Sequence, residues 1–283
     1  MIKEDIGIEV QEDLWNRIDY KPHPKQKIIH DCKARFRALC TGRRFGKSVL
    51  ASREAIFNLF VENQRGWIVA PNYELCKKVF REIIILLNTH FPKYILKQSE
   101  ANNYIKLVTG SELVGKSADN PVSLLGEGLD FLIIDEAASI KKEVWQEYLR
   151  PTLADKEGWA LFISTPKGKN WFYEEFVRGK DRKIKDIQSW NFLTSDNPYI
   201  PREEIKQAKR TLPKRVFLQE FQGVFIEDIG GVFRGVRDCI SGRLEEPDPN
   251  RSYVMGVDLA KYQDFTVVIV MDKVNKQVVY FDR

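Results

Sequence analysis

The sequence predicts an α/β fold in which a central, mainly parallel sheet is flanked by helices. Two stretches carry that prediction. In the first, the apolar run Phe36 to Cys40 passes through Thr41-Gly42-Arg43-Arg44-Phe45-Gly46-Lys47-Ser48 into a periodic segment, Val49 to Val61. The order is strand, glycine-bearing loop, helix. In the second, Leu129 to Ala138 contains an unbroken apolar run ending in Asp135 and Glu136. A run without alternation reads as a strand covered on both faces, as in parallel sheets. Its carboxylates then emerge at the sheet's carboxyl edge, where open α/β sheets bind ligands.

Both stretches have a chemistry. In a P-loop, backbone N–H groups and a helix N-terminus converge on an anion. Lys47 would reach the β- and γ-phosphates and the Ser48 hydroxyl would help hold Mg²⁺. The usual pattern begins with glycine; here Thr41 stands in that place and Gly42 follows it. Asp135 would hold Mg²⁺ through its water shell, and Glu136 would polarise the attacking water. Two solvated acids capping a helix are the plain alternative for the pair, but they explain neither the apolar strand before them nor the loop upstream. Together the stretches predict an ATP-hydrolysing enzyme of the P-loop type.

The remaining elements follow in order. Residues 1–21 are mixed and acidic and read as a peripheral helix or arm. Pro22 and Pro24 delay a helix that starts near Lys25, and the Gln26 amide, donor and acceptor at once, could pair with an adenine edge. Gly66 to Ala70 is a second buried strand, and Tyr73 to Leu87 an amphipathic helix stopped by His90-Phe91-Pro92. From Tyr94 to Ser117 short alternating runs with Asn102-Asn103 and Gly110-Ser111 turns predict an antiparallel ribbon. A loop over Asp119 to Gly128 leads to the carboxylate strand. A short helix over Lys141 to Leu149 precedes the strand Gly158 to Ile163, whose exit, Ser164-Thr165-Pro166, places hydroxyls beside the nucleotide strands. Ser164 and Thr165 could sense the γ-phosphate and pass its loss onward. A helix over Asn170 to Arg178, a strand over Ile184 to Trp190 and a basic helical stretch broken at Pro213 complete this part. Glycines between Gly230 and Gly235 and prolines near Asn250 suggest a hinge, after which Tyr253 to Asp258 is a strand delivering a carboxylate.

Bulk properties set limits. A length of 283 residues suits one large domain, or one domain and part of another. The net charge of +5 permits a polyanionic partner without demanding one. No apolar stretch is long enough to span a bilayer, so no membrane partner is expected. Cys32, Cys40, Cys76 and Cys239 lack metal-ligand spacing, and the three histidines read as incidental.

The ordered set Gln26, Gly42 to Ser48, Asp135-Glu136, Ser164-Thr165-Pro166, Gly230 to Gly235 and Gly256-Val257-Asp258 resembles the large subunit of tailed-bacteriophage terminases, the ATP-driven motors that package viral DNA. The resemblance runs from about Pro22 to the last residue. It implies a P-loop ATPase domain over 22–228, a hinge over 229–250 and, over 251–283, the opening of a ribonuclease H-like nuclease domain. In that family the loop carries an arginine after its first residue, so Arg43 becomes the candidate charge acting on the nucleotide and Arg44 a weaker one. Asp258 corresponds to the first nuclease metal ligand, for Mg²⁺ or Mn²⁺; the other acids normally lie beyond residue 283, so these residues alone are not expected to cut DNA. Partners implied are double-stranded DNA, a portal protein, a small terminase subunit and further copies in a ring, with a monomer in solution and a setting in the infected host's cytoplasm. Many relatives carry a trans-acting arginine where this chain has Leu124-Leu125. A helicase-type DNA-dependent ATPase and a non-hydrolysing scaffold are the competing readings.

Overall fold

A computed structural model describes residues 11–226, 244, 246–260 and 265–283. The chain divides into two compact units, Met1–Asp228 and Ile229–Arg283. The first is built on strands β1 (Phe36–Thr41), β2 (Arg65–Ala70), β3 (Ile95–Ser99), β4 (Tyr104–Leu107), β5 (Glu112–Ser117), β6 (Phe131–Asp135), β7 (Trp159–Ser164) and β8 (Ile187–Phe192). They form one eight-stranded sheet in the order β3-β4-β5-β2-β6-β7-β1-β8. β5, β2, β6, β7, β1 and β8 pair in parallel, while β3, β4 and β5 run antiparallel as a ribbon on one edge.

The central strands are covered on both faces: β6 is apolar up to Asp135, and β1 buries Arg37 among apolar neighbours. β1 and β6 are buried along their whole lengths. One face packs against α1 (Pro24–His30), α2 (Lys47–Phe60) and α3 (Tyr73–His90), around Leu50, Ile56, Phe80 and Ile83. The other face buries Trp67, Phe162, Trp145 and Trp171, the last on α4 (Trp171–Arg178). Asn170 caps α4, its side-chain oxygen accepting from Phe172 N at 3.1 Å and Tyr173 N at 3.4 Å. The unit ends with α5 (Arg202–Thr211) and α6 (Lys214–Gln222), parted at Pro213 as the sequence predicts.

One expectation is corrected. The leading segment is not peripheral over its described part. Residues 11–17 are helical, and Leu14, Trp15, Ile18 and Tyr20 are buried in the same core as α2. Leu14 and Ile18 sit one helical turn apart with Trp15 beside them, a narrow apolar stripe that acidic neighbours obscured. The helix expected over Lys141 to Leu149 is present as continuous helical backbone over 142–152, with a π-helix, Val144–Leu149, inside it.

The second unit is an antiparallel meander, β9 (Tyr253–Asp258), β10 (Val267–Asp272) and β11 (Val278–Asp282), in the order β11-β10-β9. Asp272 builds its turn, Oδ1 accepting from Val274 N at 2.7 Å and Asn275 N at 3.1 Å. The glycine hinge at 230–235 lies outside the described residues. Among the described residues no helix is long and apolar enough to cross a membrane.

Candidate functional site

Strand order assembles the site. β7 lies between β1 and β6, so the loop after β1 and the carboxylates after β6 face each other across the tip of β7. The loop's path is held from outside. Gly42 N donates to Phe192 O at 3.0 Å, and Arg43 N to Glu220 O at 2.6 Å. Thr194 Oγ1 donates to Arg43 O and Asn197 Nδ2 to Arg44 O, both at 2.7 Å. Gly42 has no room for a side chain: a Cβ there would stand 2.4 Å from Phe221 O and 2.5 Å from Thr194 Oγ1. Arg44 and Gly46 take left-handed conformations, φ +62° and +104°, which turn the chain into α2.

Lys47 opens α2 and is buried, 8% exposed. Its Nζ donates to Thr41 Oγ1 at 3.3 Å and to Gly42 O at 3.5 Å. Burial pulls its pKa down, and the nearby charges of Glu136 and Asp135 push it back up. Ser48 is exposed at the next position. Phe45 is wholly buried, stacked on Phe192 at 5.4 Å and edge-on to His23 at 4.8 Å. Its side chain anchors the loop, leaving only its backbone for a ligand.

Opposite the loop, Asp135 is 6% exposed. Its carboxyl is pushed up to about 6 by burial and by the charge of Glu136, against the pull of Lys47. Glu136 is held in the left-handed region, φ 49° and ψ 45°, and its N–H donates to Asp135 Oδ1 at 2.9 Å. A non-glycine residue held there is strained, as residues at functional sites often are. Ser164 and Thr165 are buried; the Thr165 hydroxyl donates to Glu136 Oε2 at 3.5 Å, and Ser164 Oγ lies 3.4 Å from the same oxygen while donating to Thr165 O at 2.7 Å. Ser164 Oγ also accepts from Ala138 N at 3.2 Å. The structure therefore brings together Thr41, Lys47, Asp135, Glu136, Ser164 and Thr165. Two adjacent carboxylates facing a single ammonium, with a hydroxyl next to that ammonium, form an oxygen-rich donor set that suits Mg²⁺.

The adenine expectation for Gln26 meets a committed side chain. Gln26 is 4% exposed; its Oε1 accepts from His23 N and its Nε2 donates to Gly46 O, both at 3.1 Å. In this structure Gln26 ties α1 to the loop.

Residues 38–237 match the family model described as terminase large subunit, T4likevirus-type, N-terminal. The chain belongs to the terminase large subunit family. The large terminase subunit of Thermus phage G20c is 36% identical over 299 residues, covering 92% of this chain and 62% of the relative. That of Escherichia phage T5 is 32% identical over 255 residues, covering 86% and 57%. The chain thus spans about three-fifths of the length of these relatives. Among solved structures, the large terminase ATPase domain of Thermus phage P74-26 superposes with a TM-score of 0.69 at 34% identity, over 76% of this chain and 98% of that domain. The α/β architecture with a mainly parallel sheet is the terminase ATPase-domain fold.

Two further terminase-derived expectations concern Asp258 and the Leu124-Leu125 pair. Asp258 ends β9 and is exposed. Among the described residues no group of three His, Cys, Asp or Glu side chains is placed to hold a metal ion. Leu124 is buried and Leu125 is 54% exposed.

Sequence reasoning missed several supporting residues. Two of the three histidines, His23 and His30, are not incidental. His23 Nε2 contacts Phe45 O at 3.1 Å. His30 Nδ1 lies 2.5 Å from Glu54 Oε1, and Arg37 Nη2 donates to Glu54 Oε2 at 2.6 Å. A signal for Glu54 existed: it falls on the apolar face of α2, between Leu50, Ala51 and Ala55. Glu220 carried none.

Proposed function

We propose that this chain is an ATPase motor that drives double-stranded viral DNA into a procapsid. The observation that carries the reading is the buried Lys47 ammonium, held between the glycine loop and the Asp135/Glu136 pair. Nothing in a plain βα turn calls for a lysine 8% exposed, whereas a triphosphate would use its charge.

Each residue has a task in this reading. The loop amides from Arg44 to Ser48 cradle the phosphates, Lys47 draws charge from the γ-phosphate, and Arg43 supplies a second cation. Mg²⁺ would be held by Ser48 and Asp135, and when bound it would neutralise charge on the triphosphate oxygens. Glu136 orients the attacking water and takes up its proton. Thr165 holds the Glu136 carboxylate by its hydroxyl, with Ser164 Oγ beside it, so loss of the γ-phosphate can be passed to β7 and the segments that follow it. Lysines and arginines would hold the DNA backbone without reading bases, because a translocase must move over any sequence.

The wider organisation is part of the proposal. Residues 22–228 form the motor, 229–250 a hinge, and 251–283 begin a nuclease domain in which Asp258 is one metal ligand. A portal protein and a small terminase subunit would be partners, and copies of the chain would act as a ring in the infected cell's cytoplasm. The test is ATP turnover with and without linear duplex DNA across salt concentrations. DNA should stimulate turnover, and Lys47→Ala and Glu136→Ala should each abolish it. Tight nucleotide binding with no turnover under any condition would refute the motor. Unchanged turnover in Glu136→Ala would remove that residue from its role.

A further inference from the structure

A cavity lies at the end of the sheet away from the nucleotide loop. The loop follows the last residue of β1, whereas the cavity opens beside the first, about 17 Å back along the strand. Its volume is about 700 Å³, within the range that small-molecule sites occupy. The segment between α1 and β1, the second half of α2 and Trp159 at the start of β7 supply its walls.

The interior of this cavity is polar. Arg37, 4% exposed, gives Nη1 to Ile29 O and Nη2 to Glu54 Oε2, and its buried Nε has no partner among the described residues. Gln11 and Asn58 are each 9% exposed and also line the space. Asn58 Nδ2 donates to Glu54 O at 2.8 Å. Among the described residues, neither Asn58 Oδ1 nor the Gln11 amide has a hydrogen-bond partner. Buried polar groups are normally paired, so unused ones gathered round one cavity mark where a polar ligand would be bonded.

The charges give that ligand its sign. Glu54 is committed, one carboxylate oxygen meeting Arg37 and the other His30. Lys33 is exposed at the rim, and Arg35 beside it spends Nε and Nη2 on the carbonyls of Gly158 and Leu153, not on a carboxylate. Arg150 adds a further cation: the guanidinium carbons of Arg35 and Arg150 lie 5.2 and 5.0 Å from the centre of the same Phe36 ring. Among the described residues none of these three cations has an ion-pair partner. The lining offers one uncommitted acid against them, the exposed Glu157.

We infer that this cavity binds a small-molecule oxyanion, carried on a phosphate or a carboxylate group. Lys33 and Arg35 attract it at the rim, the Gln11 amide donates to it within, and Asn58 Oδ1 suits a hydroxyl on the same molecule. The site is separate from the Lys47 site and does not depend on the nucleotide reading.

The test is titration calorimetry of the whole chain with inorganic phosphate and, separately, with citrate, at about 0.15 M salt so that long-range attraction is screened. Lys47→Ala serves as the background, so that the nucleotide loop does not compete for the probe. One saturable site is expected, and the tighter probe tells whether phosphate or carboxylate is the preferred group. Lys33→Glu and Gln11→Glu, each added to that background, should weaken binding by about tenfold or more, since each sets a negative charge against the anion. The first changes an exposed side chain and the second is isosteric, so a folding defect in one leaves the other to report. The preferred probe should also raise the melting temperature of the background chain, and raise it less once Lys33 is reversed. Absence of saturable binding for both probes, or binding that both charge variants leave unchanged, would overturn the inference.

Discussion

Glu54 is the site's most consequential support, and its removal has a magnitude that follows from its surroundings. It lies on α2 two helical turns beyond Lys47, so the two share a face. Its carboxylate joins Arg37 on β1 to His30 on α1. The Arg37 guanidinium also donates to Ile29 O at 3.1 Å and lies 4.5 Å from the centre of the Trp159 ring. His30 bridges Glu54, through Nδ1, and the Tyr20 hydroxyl, through Nε2 at 3.0 Å. Burial pushes the Glu54 carboxyl up, but Arg37's charge and His30's hydrogen bond outweigh it and lower its pKa to about 2. Glu54→Ala leaves Arg37, 4% exposed, without a counter-charge, which costs about 3–5 kcal/mol. Followed by tryptophan fluorescence, the urea midpoint should fall by about 1–1.5 M. The wild-type contribution has a pH signature. Because the folded pKa lies below the ordinary value of 4.5, the stabilisation is complete above that pH and is lost as pH falls toward about 2. A loss under about 1 kcal/mol would refute the claim that this carboxylate neutralises a buried cation.

Asp135 predicts the opposite sign. Its folded pKa of about 6 exceeds its ordinary value of 3.8, so its charge destabilises the nucleotide-free chain increasingly as pH rises through that range. Asp135→Asn should raise stability at pH 7.5 by about 1–3 kcal/mol in thermal melts while removing Mg²⁺-dependent nucleotide binding. Glu136→Asn, better suited to the left-handed backbone, should melt no lower than wild type yet hydrolyse no ATP. Gly42→Ala must displace Phe221 O or Thr194; a loss of about 2 kcal/mol or more by urea unfolding should accompany weakened nucleotide binding.

What was legible in the sequence was local. β6 could be read because an unbroken apolar run admits little but a doubly covered strand, and β1, interrupted only by Arg37 before Thr41, reads in the same way. The loop and Asp135-Glu136 could be read because they sit at those strands' ends. Pro213 showed where α5 stops. The rest depended on contacts distant in sequence. Arg43 and Glu220 are 177 residues apart, and no spacing links them until β8 and α6 fold back on the loop. Strand order, which sets Ser164 and Thr165 against Glu136, is likewise invisible in a linear pattern. His30 was read as incidental because its partners are distant in sequence; only its burial together with Glu54 and Arg37 makes a network. Gln26 was read for its free amide, and the fold uses that amide to bind the loop to α1.

The central claim is that Lys47 and the Asp135/Glu136 pair grip one magnesium-bound triphosphate. Equilibrium binding of a fluorescent ATP analogue with Mg²⁺ to wild type and to folded Lys47→Ala tests it most directly. The account predicts saturable binding by wild type, lost by at least about tenfold in the variant, since a charge-assisted phosphate contact in a buried site is removed. Equal affinity in the two proteins, or no affinity in either, would contradict it.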